Sequence, residues 1–445
     1  MVVPFGIVAA ALSDRGDGWL LTLAPPRFVI YYYKMRNETQ APIAGARAVR
    51  SAHVRRSNLG VVLGELRQQG PMSRSDLVAS TGLTRNAIGE LVGSLVDGGL
   101  AAETTPAPDG RPGRPSTVVR VDERHVAVLA IEIGVDDTVV AAVGLDGAVI
   151  GSARTARQGD PVPVASTVAD IVSLVRSLVG SGGRVERRRV LGVGAAVPGL
   201  VRRSDGVVVS APNLGWIDVS FAAELGAELQ AQIGRPMPVH VGNEADLGAL
   251  AEARFGVGRS ADVMVFVSGE VGVGGGVVMA SGPVSGRSGF ACEFGHMPVN
   301  PDGDPCRCGS NGCWETEVGE RSLLRRAGLD PDGGSEAVAV LLERFAAGEP
   351  AALAAIAEEG RWLGIGITGL INLFDPDVVV LGGLFRRILP GARPALEAEL
   401  DRRRFRGVER DVAVVAGSLE PSAALIGAAE LAFGPLLADP AAGGK

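Results

Sequence analysis

The chain is poor in cysteine, in aromatic residues and, above all, in lysine. Four cysteines among 445 residues are too few for a disulfide scaffold. Only two of the 43 basic residues are lysines, which we attribute to coding bias in a chain rich in glycine and alanine. No apolar run reaches the ~18–20 residues that a membrane span needs, so we expect no membrane partner.

The first 45 residues differ in character from the rest. Their apolar stretch is interrupted by Asp14, Arg15 and Asp17, whereas a signal peptide has one unbroken apolar core. We expect residues 1–45 to be a tail without stable structure or an over-extended start, with Met35 as the initiator, rather than a targeting segment. The protein is then expected in the cytoplasm.

Charge is uneven along a chain whose length suggests about three domains. The net charge of −7 argues against a general nucleic-acid binder. Between Ala46 and Arg120, however, ten arginines stand against six acidic residues, which gives this segment a net charge of +4. A basic segment before an acidic body predicts that an anionic partner binds to the segment.

The basic segment has the spacing of a helix-turn-helix. Apolar residues recur at helical intervals over Leu59–Leu66 and again over Ile88–Leu95. Between these two stretches, Ser73 with Asp76 resembles a capping box at the start of a short helix, and Thr84 is placed to cap the next helix. A helix, a glycine turn and a second helix are typical of DNA-binding modules.

The residues left outside on the second helix are suited to DNA. Arginine can read guanine and asparagine adenine in the major groove. Two predicted strands follow, and the Pro/Gly-rich tip between them carries arginines suited to phosphates or a narrow minor groove, as in a wing. An ordinary three-helix packing module with a linker is the alternative. The candidate DNA-contacting residues are Ser73, Thr84, Arg85, Asn86, Arg111 and Arg114.

From His125 onward, predicted strands and helices alternate, which is typical of an α/β body. Two halves each open on a strand followed by a glycine-rich loop, so we expect two lobes with a cleft between them. The loop Gly269–Gly276 could cradle a phosphate through its amides, but it lacks the Gly-Lys-Ser/Thr ending of a P-loop.

Three of the four cysteines lie in one short segment, CRCGSNGCWE. A disulfide within it would leave one thiol unpaired, and a bridge between Cys306 and Cys308 would be tight. The Gly- and Asn-rich Cys-x-Cys-x4-Cys spacing lets the backbone wrap an ion, which favours a metal site.

Taken together, these motifs resemble the ROK family of repressors and sugar kinases. The segment FACEFGHMPVNPDGDPCRCGSNGCWE resembles its zinc signature, HVGNEADLGALAEARFG its Asn-Asp active-site segment, and GEVGVGGGVVM its second phosphate loop. The resemblance covers about Ala127 to Phe433, and the preceding helix-turn-helix matches the repressor branch.

The resemblance implies the fold and the domain organisation. The body should be an actin-like, sugar-kinase-type pair of ribonuclease H-like lobes, preceded by an all-α winged helix-turn-helix domain. We expect that domain at 46–122, the N-terminal lobe at 123–243 with a completing helix at 421–435, and the C-terminal lobe with the zinc loop at 244–420.

The resemblance also implies the ligand sets. Three thiolates and one imidazole would complete a tetrahedral structural zinc site, and Cys292 is expected to be a core residue instead. Carboxylates and amides suit sugar hydroxyls, although two of the glutamates could merely support the metal. The implied zinc ligands are His296, Cys306, Cys308 and Cys313, and the implied sugar-binding residues are Asn213, Asn243, Glu244, Glu293, His296 and Glu315.

The features that a family kinase needs for phosphoryl transfer are altered. Glu244 stands where the kinases have an aspartate as general base, and misplacement of a reacting group by ~1 Å can cost about 100-fold. The first phosphate loop has lost its second glycine and gained Asp136 and Asp137, and Glu270 adds a further acid in the second loop. Negative charge there would repel phosphates.

The resulting expectation is a DNA-binding transcriptional regulator, acting as a repressor, that responds to a sugar or sugar phosphate. It should bind a palindromic operator as a homodimer or homotetramer, and we expect no catalytic residues. The alternatives are an ATP-dependent sugar kinase with a DNA-binding head, and a regulator with a protein effector and a vestigial pocket.

Overall fold

The N-terminal module combines three helices with a small antiparallel sheet. Its elements are α1 (Ser51–Gln69), β1 (Met72–Ser73), α2 (Arg74–Thr81), α3 (Arg85–Asp97), β2 (Ala101–Thr104) and β3 (Val118–Val121). The apolar faces predicted for α1 and α3 are buried, as expected for amphipathic helices. The strands pair in the order β1-β3-β2, so the module is not helical throughout.

The computed structural model describes residues 51–104, 117–157, 163–179, 185, 188–234, 236–280, 282–403, 405, 411–419 and 422–443. The predicted tail at residues 1–45 and the arginines of the predicted wing tip, Arg111 and Arg114, lie outside the described residues. The prediction of a wing therefore stands on its two flanking strands, which are present as β2 and β3.

Local hydrogen bonds explain where α2 and α3 begin. The Ser73 hydroxyl accepts from the Asp76 amide at 3.1 Å, and the Asp76 carboxylate accepts from the Ser73 amide at 3.1 Å, which confirms the predicted capping box. Thr84 caps α3 by accepting from the Ala87 amide at 3.3 Å. Gly82 ends α2 with a φ of 69°, a conformation that favours glycine.

The first half of the body is built on a five-stranded sheet in the order β11-β7-β4-β5-β6, with a small sheet β10-β9-β8 at its end. The central strand β4 is apolar along nearly its whole length, because both of its faces are covered. The first half of the body contains the elements β4 (Val126–Ile133), β5 (Asp137–Gly144), β6 (Val149–Ala156), α4 (Val164–Val179), β7 (Arg189–Val197), β8 (Leu200–Arg202), β9 (Val207–Ala211), β10 (Trp216–Val219), α5 (Phe221–Ile233) and β11 (Val239–Asn243).

The second half carries another five-stranded sheet, in the order β14-β13-β12-β15-β16. Two of its strands, β12 and β13, are antiparallel and include most of the predicted glycine-rich loop Gly269–Gly276. Its elements are α6 (Glu244–Phe255), β12 (Val263–Gly269), β13 (Val273–Met279), β14 (Gly282–Pro283), α7 (Trp314–Val318), α8 (Glu320–Arg326), α9 (Gly334–Ala346), α10 (Pro350–Phe374), β15 (Val378–Gly382), α11 (Gly383–Arg403) and β16 (Ala413–Ala416).

Helix α12 (Ala423–Ala438) returns to the first half, and α13 (Pro440–Gly443) follows it. Alternate residues of β4 divide between two cores: Ala127 and Leu129 face the core with α4 and α5, whereas Val128 and Ala130 face the core with α12. The α12 core also contains the apolar residues of α1 and α3. The N-terminal module and the body are therefore joined by continuous apolar packing.

Residues Arg50–Lys445 form one compact unit, so the finer predicted boundaries within it remain predictions. None of the helices in the described ranges combines the length and the apolar character that crossing a membrane requires.

Candidate functional site

The structure brings together the four residues predicted to bind zinc. The ligand atoms of His296, Cys306, Cys308 and Cys313 all lie within 4.8 Å of one another. The Cys308 and Cys313 sulfurs are 3.6 Å apart, and the Cys306 sulfur is 3.7 Å from His296 Nδ1. A tetrahedral zinc ion with its usual bond lengths requires separations of about 3.6–3.8 Å. These two separations match a tetrahedral zinc site, the remaining ligand atoms lie within the wider limit of 4.8 Å, and the sulfur–sulfur distance is far too long for a disulfide, so the cluster could hold a metal ion.

Short-range hydrogen bonds shape the loop that carries the cysteines. The Cys306 amide donates to the Ser310 carbonyl at 2.8 Å, and the Gly309 amide donates to the Cys306 carbonyl at 3.0 Å. Gly312 adopts a φ of 64°, and a Cβ there would collide with the Asn300 carbonyl oxygen. The loop thus needs glycine at 312 to bring Cys313 beside the other ligands.

Glu315 lies directly against this cluster. Its carboxylate accepts from the Cys306 thiol at 2.8 Å, and it is 3.6 Å from His296 Nδ1. Because His296 turns Nδ1 towards the cysteines, its Nε2 is left for another partner. Glu315 therefore lies beside the predicted sugar contact His296, and its hydrogen bond from Cys306 belongs to the protonated thiol, because a zinc-bound thiolate has no proton to donate.

Two further carboxylates approach the pocket from different elements. Burial, followed by the charge of Glu293, raises the pKa of Asp246 to about 7, and Arg203 acts in the opposite direction. Burial and the charge of Glu315 raise the pKa of Glu293, whereas His296 lowers it. Asp246 and Glu293 thus form a pair of interacting carboxylates whose pKa values are both raised.

Asp246 was not among the predicted site residues. The available signal was its spacing, since residues 243 and 246 lie on the same side of a helix that begins at Glu244. Its proximity to Glu293, 47 positions later in the chain, depends on tertiary structure and has no local signature.

Asn243 is largely occupied by the backbone. Its side-chain oxygen caps α6 by accepting from the amides of Ala245 and Asp246 at 2.8 and 3.1 Å, and its nitrogen donates to the Gly199 carbonyl at 2.9 Å. One N–H of the amide group remains for a ligand. The neighbouring Glu244 is half-buried at the first position of α6.

Two arginines connect the two halves of the body beside this pocket. Arg307, between the first two cysteines, donates to the Asn213 side-chain oxygen over a long 3.5 Å. Arg203, next to β8, donates to the hydroxyl of Ser285 in the second half. The structure thus places Asn213 next to the cysteine loop, and the two arginines were not among the predicted residues.

Acidic groups line both sides of the predicted nucleotide cleft. Burial and the charge of Asp136 raise the pKa of Glu320, with Arg387 opposing the shift. The Glu270 carboxylate lies so close to Gly383 that a Cβ there would be 2.7 Å from it. Asp137 is held by Arg154 at 2.9 Å. This arrangement is unfavourable for the phosphates of a nucleotide.

On the N-terminal module, Thr84, Arg85 and Asn86 are exposed at the start of α3. The Ser73 hydroxyl is used in the cap of α2, so its predicted DNA contact would have to come from the remaining capacity of that group. Arg74, which follows it, pairs with Glu103 at 2.9 Å. The beginning of α3 therefore presents the predicted base-reading side chains to solvent.

Comparison with known proteins gives one family and two kinds of relative. The model of the ROK family matches residues 128–434. The xylose repressor of Bacillus subtilis is 27% identical over 380 residues, which covers 84% of this chain and 94% of the repressor. The glucokinase of Streptomyces coelicolor is 34% identical over 292 residues, which covers 62% of this chain and 89% of the kinase.

Solved structures divide in the same way. A ROK family transcriptional regulator, described as a homolog of the Escherichia coli MLC protein, superposes with a TM-score of 0.71 at 26% identity, covering 87% of this chain and 97% of that one. A ROK family glucokinase from Streptomyces griseus, in complex with glucose and AMPPNP, reaches a TM-score of 0.58 at 28% identity over 68% of this chain and 98% of that one. The similarity to the regulator covers more of the chain than residues 128–434 and therefore includes residues outside the family match. The similarity to the glucokinase covers a share of the chain about as long as that match.

Proposed function

Because the chain belongs to the ROK family, we propose that it is a sugar-responsive, DNA-binding transcriptional regulator that acts as a repressor in the cytoplasm. The observation that carries the proposal is the capped α2–α3 pair, which shares one apolar core with the body that holds the acidic pocket. The coverage of the xylose repressors and of the MLC-like regulator, 84–87% of the chain, supports it.

For DNA, the proposal assigns α3 to the major groove. Thr84, Arg85 and Asn86 would face base edges and phosphates, Ser73 would approach the backbone from the start of α2, and the wing-tip residues Arg111 and Arg114 would contact phosphates or the minor groove. A palindromic operator would be bound by a homodimer or homotetramer, because each half-site then meets one module.

The cysteine cluster would hold one structural zinc ion through His296, Cys306, Cys308 and Cys313. The fit of the ligand distances supports this. Zinc would supply a cross-link within a loop that has little core of its own. Held in place, the loop presents Glu315 and Arg307 to the pocket.

The effector would be a sugar bound at Asn213, Asn243, Glu244, Glu293, His296 and Glu315, and we add Asp246 to this set. Several carboxylates in one pocket favour an uncharged polyhydroxyl ligand, since each carboxylate can accept from two hydroxyls. The same charges disfavour a sugar phosphate, which would have to depend on Arg203 and Arg307.

A thermal-shift screen tests the pocket. D-xylose, D-glucose, xylose 5-phosphate and glucose 6-phosphate are added to the purified chain, and a sugar at 100 times its Kd should stabilise the fold by about 2.7 kcal/mol. We expect an unphosphorylated sugar to raise the melting temperature. If none of the four does so, this ligand class is wrong.

A binding titration tests the DNA part. A duplex selected from a random library by the full chain should bind with a steep salt dependence, and the sugar identified in the screen should weaken it. Asn86→Ala should cost about 1–3 kcal/mol of binding free energy and relax the preference at one base pair. Unchanged selectivity in that variant would remove α3 from the DNA interface.

The second candidate function is an ATP-dependent sugar kinase, which the 34% identity to a glucokinase favours. The acids at 136, 270 and 320 weigh against it, as does glutamate in place of aspartate at 244. Release of ADP with D-glucose or D-xylose decides the question. Clear turnover that Glu244→Gln abolishes would establish the kinase and overturn the assignment of the chain as a non-enzyme.

A further inference from the structure

A buried ion network joins the N-terminal module to the body. Arg67, near the end of α1, is buried and donates through both terminal nitrogens to the Glu430 carboxylate on α12, one bond measuring 2.9 Å. Arg254, near the end of α6, donates to the same carboxylate at 2.6 Å. One buried carboxylate is thus shared by a guanidinium from the module and another from the body.

The surroundings fix this network in place. Arg67 also donates from Nε to the Leu145 carbonyl at 2.7 Å, and its guanidinium lies over the rings of Phe433 and Phe255 at 4.7 and 5.8 Å. Although burial acts to raise it, the charges of the two arginines hold the pKa of Glu430 below its ordinary value. The carboxylate is therefore charged and fully paired.

A second contact lies beside the first. Arg259, shortly after α6, donates to the Gln68 carbonyl and, at 3.2 Å, to the Gln69 side-chain oxygen. The last turn of α1 therefore contacts Arg259 and the Phe255 ring directly and meets Arg254 through Glu430, and these three residues belong to the end of α6 or follow just after it.

The other end of α6 lies in the proposed sugar pocket. Asn243 caps the helix, Glu244 begins it, and Asp246 faces Glu293. Twelve residues of α-helix span about 18 Å, so the pocket and the ion network are the two ends of one rigid element.

Helix α6 cannot move without its neighbour. A Cβ at Gly427 of α12 would collide with the Leu247 carbonyl of α6, and one at Gly60 of α1 would collide with the Leu437 carbonyl of α12. Backbones packed at this distance shift together or exchange one discrete arrangement for another.

We propose that α6 transmits occupancy of the pocket to the DNA-binding module through the chain of contacts Arg254–Glu430–Arg67, an inference that rests on the proposed function. A ligand that draws the start of α6 towards Glu293 would displace Arg254 at its end. Because Glu430 is buried, the carboxylate either follows Arg254 and takes Arg67 with it, or loses a partner at high cost. Either response changes the position of α1 on the body, and with it the orientation of α3 towards DNA.

The alternative is that the network only holds the module on the body and transmits no change. The ion pair between Arg67 and Glu430 would be enough for that role. The variant Arg254→Met separates the two, since it leaves that pair intact. Arg361→Met is the matched control: Arg361 has a similar side-chain exposure, 36% against 33%, and pairs with Glu358 on α10, away from the module.

Hydrogen–deuterium exchange of the full chain, with and without saturating D-xylose or D-glucose, reads both ends of α6. In the wild type and in Arg361→Met, sugar should protect residues 293–315, alter exchange in α1 and change the Kd for the selected duplex by about fivefold or more. In Arg254→Met, the protection at 293–315 should persist, whereas the α1 response should be lost and the change in duplex Kd should fall below about twofold.

Each other outcome has a separate meaning. If neither sugar protects 293–315 in the wild type, the proposed function fails and the coupling fails with it. If sugar protects the pocket and shifts the duplex Kd equally in wild type and Arg254→Met, the regulator stands and this route is wrong. Should Arg254→Met not fold, Arg254→Lys keeps a positive charge beside Glu430 but replaces the planar guanidinium with a single ammonium group, which weakens the same link. It should reduce the sugar-induced change in duplex Kd at least twofold, and an undiminished change would overturn the proposal.

Discussion

Cys308 is the exposed cysteine of a four-residue cluster whose other two cysteines are buried. Replacing it with serine removes one thiolate from the proposed tetrahedral site. We expect Cys308→Ser to lose most of the bound zinc, measured by elemental analysis, and to melt at a lower temperature because the loop 306–313 loses its cross-link.

Cys292→Ser is the control for this change. Cys292 lies outside the cluster, and its thiol donates a weak hydrogen bond to the Val284 carbonyl at 3.8 Å. The control should keep one zinc ion per chain. Full zinc content in Cys308→Ser would mean that this residue is not a ligand.

Asp246 gives a stability prediction with a definite sign. Its pKa is raised to about 7 in the folded chain from an ordinary 3.8. Between these pH values the folded state binds more protons than the unfolded state, so stability should fall as pH rises from about 4 to about 7. The charged groups around Asp246 are Glu293, which disfavours its charge, and Arg203, which favours it, while Asp246 in turn contributes to the raised pKa of the Cys292 thiol.

Asp246→Asn cannot ionise and should therefore lose this contribution. We expect the variant to be more stable than the wild type at pH 8 by about 1–3 kcal/mol and of similar stability at pH 4.5. Chemical denaturation at both pH values measures the difference, with the exposed change Glu343→Gln on α9 as control. A variant less stable than the wild type at pH 8 would mean that Asp246 is charged and well paired.

At the scale of single residues, the sequence predicts some members of the candidate site better than others. The three cysteines proposed to bind zinc lie within eight positions, so a local motif indicates them. Asp246, Arg203 and Arg307 meet their partners only because distant elements come together, and no spacing in the chain signals that. The side chain of Asn243 was predicted to bind sugar, but its main contacts are with backbone amides and a carbonyl.

Among the elements, α6 and α12 pack with an unusually close approach. Gly427 on α12 lies against the Leu247 carbonyl, and an added methyl group has no space. Gly434, on the same helix, has nothing within 4 Å of such a group.

Gly427→Ala should therefore destabilise the chain by about 1–3 kcal/mol through overpacking. Gly434→Ala should be neutral or stabilising by up to about 1 kcal/mol, because alanine is the better helix former. Thermal or denaturant midpoints compare the two. Equal effects of both substitutions would show that helix propensity, and not close packing, decides the outcome at Gly427.

The elements also differ in how well pattern reasoning finds them. Long amphipathic helices such as α4 and long buried strands such as β4 have enough residues for a periodicity to emerge, which is why the alternation of strands and helices from His125 onward could be predicted. The two-residue strand β1 and the small sheet β8–β10 were missed, because elements this short are fixed by their partners. The predicted glycine-rich loop Gly269–Gly276 is shorter than expected: residues 270–272 connect β12 and β13, whereas Gly274–Gly276 belong to β13.

At the scale of the whole molecule, charge separates the two proposed tasks. The chain carries −7 overall while its segment from Ala46 to Arg120 carries +4, so DNA is attracted to one part of the surface and repelled by the rest. Fold class and domain order could be predicted from the sequence because they follow from element type and order. The joint between module and body could not, since it depends on Arg67, Glu430 and Arg254, which are far apart in the chain.

If one sugar weakens DNA binding through this joint, linkage requires the reverse effect to be equal. A sugar that raises the Kd for the selected duplex tenfold must itself bind tenfold more weakly when the duplex is present, a coupling of about 1.4 kcal/mol. Calorimetric titration of the sugar into free and duplex-bound full chain, paired with duplex titrations at zero and saturating sugar, measures both sides of the cycle. The Arg254→Met variant should reduce both factors together towards one. A sugar that weakens the duplex complex while binding equally well to free and duplex-bound chain would not be acting through the pocket, and the regulatory model would then lose its effector site.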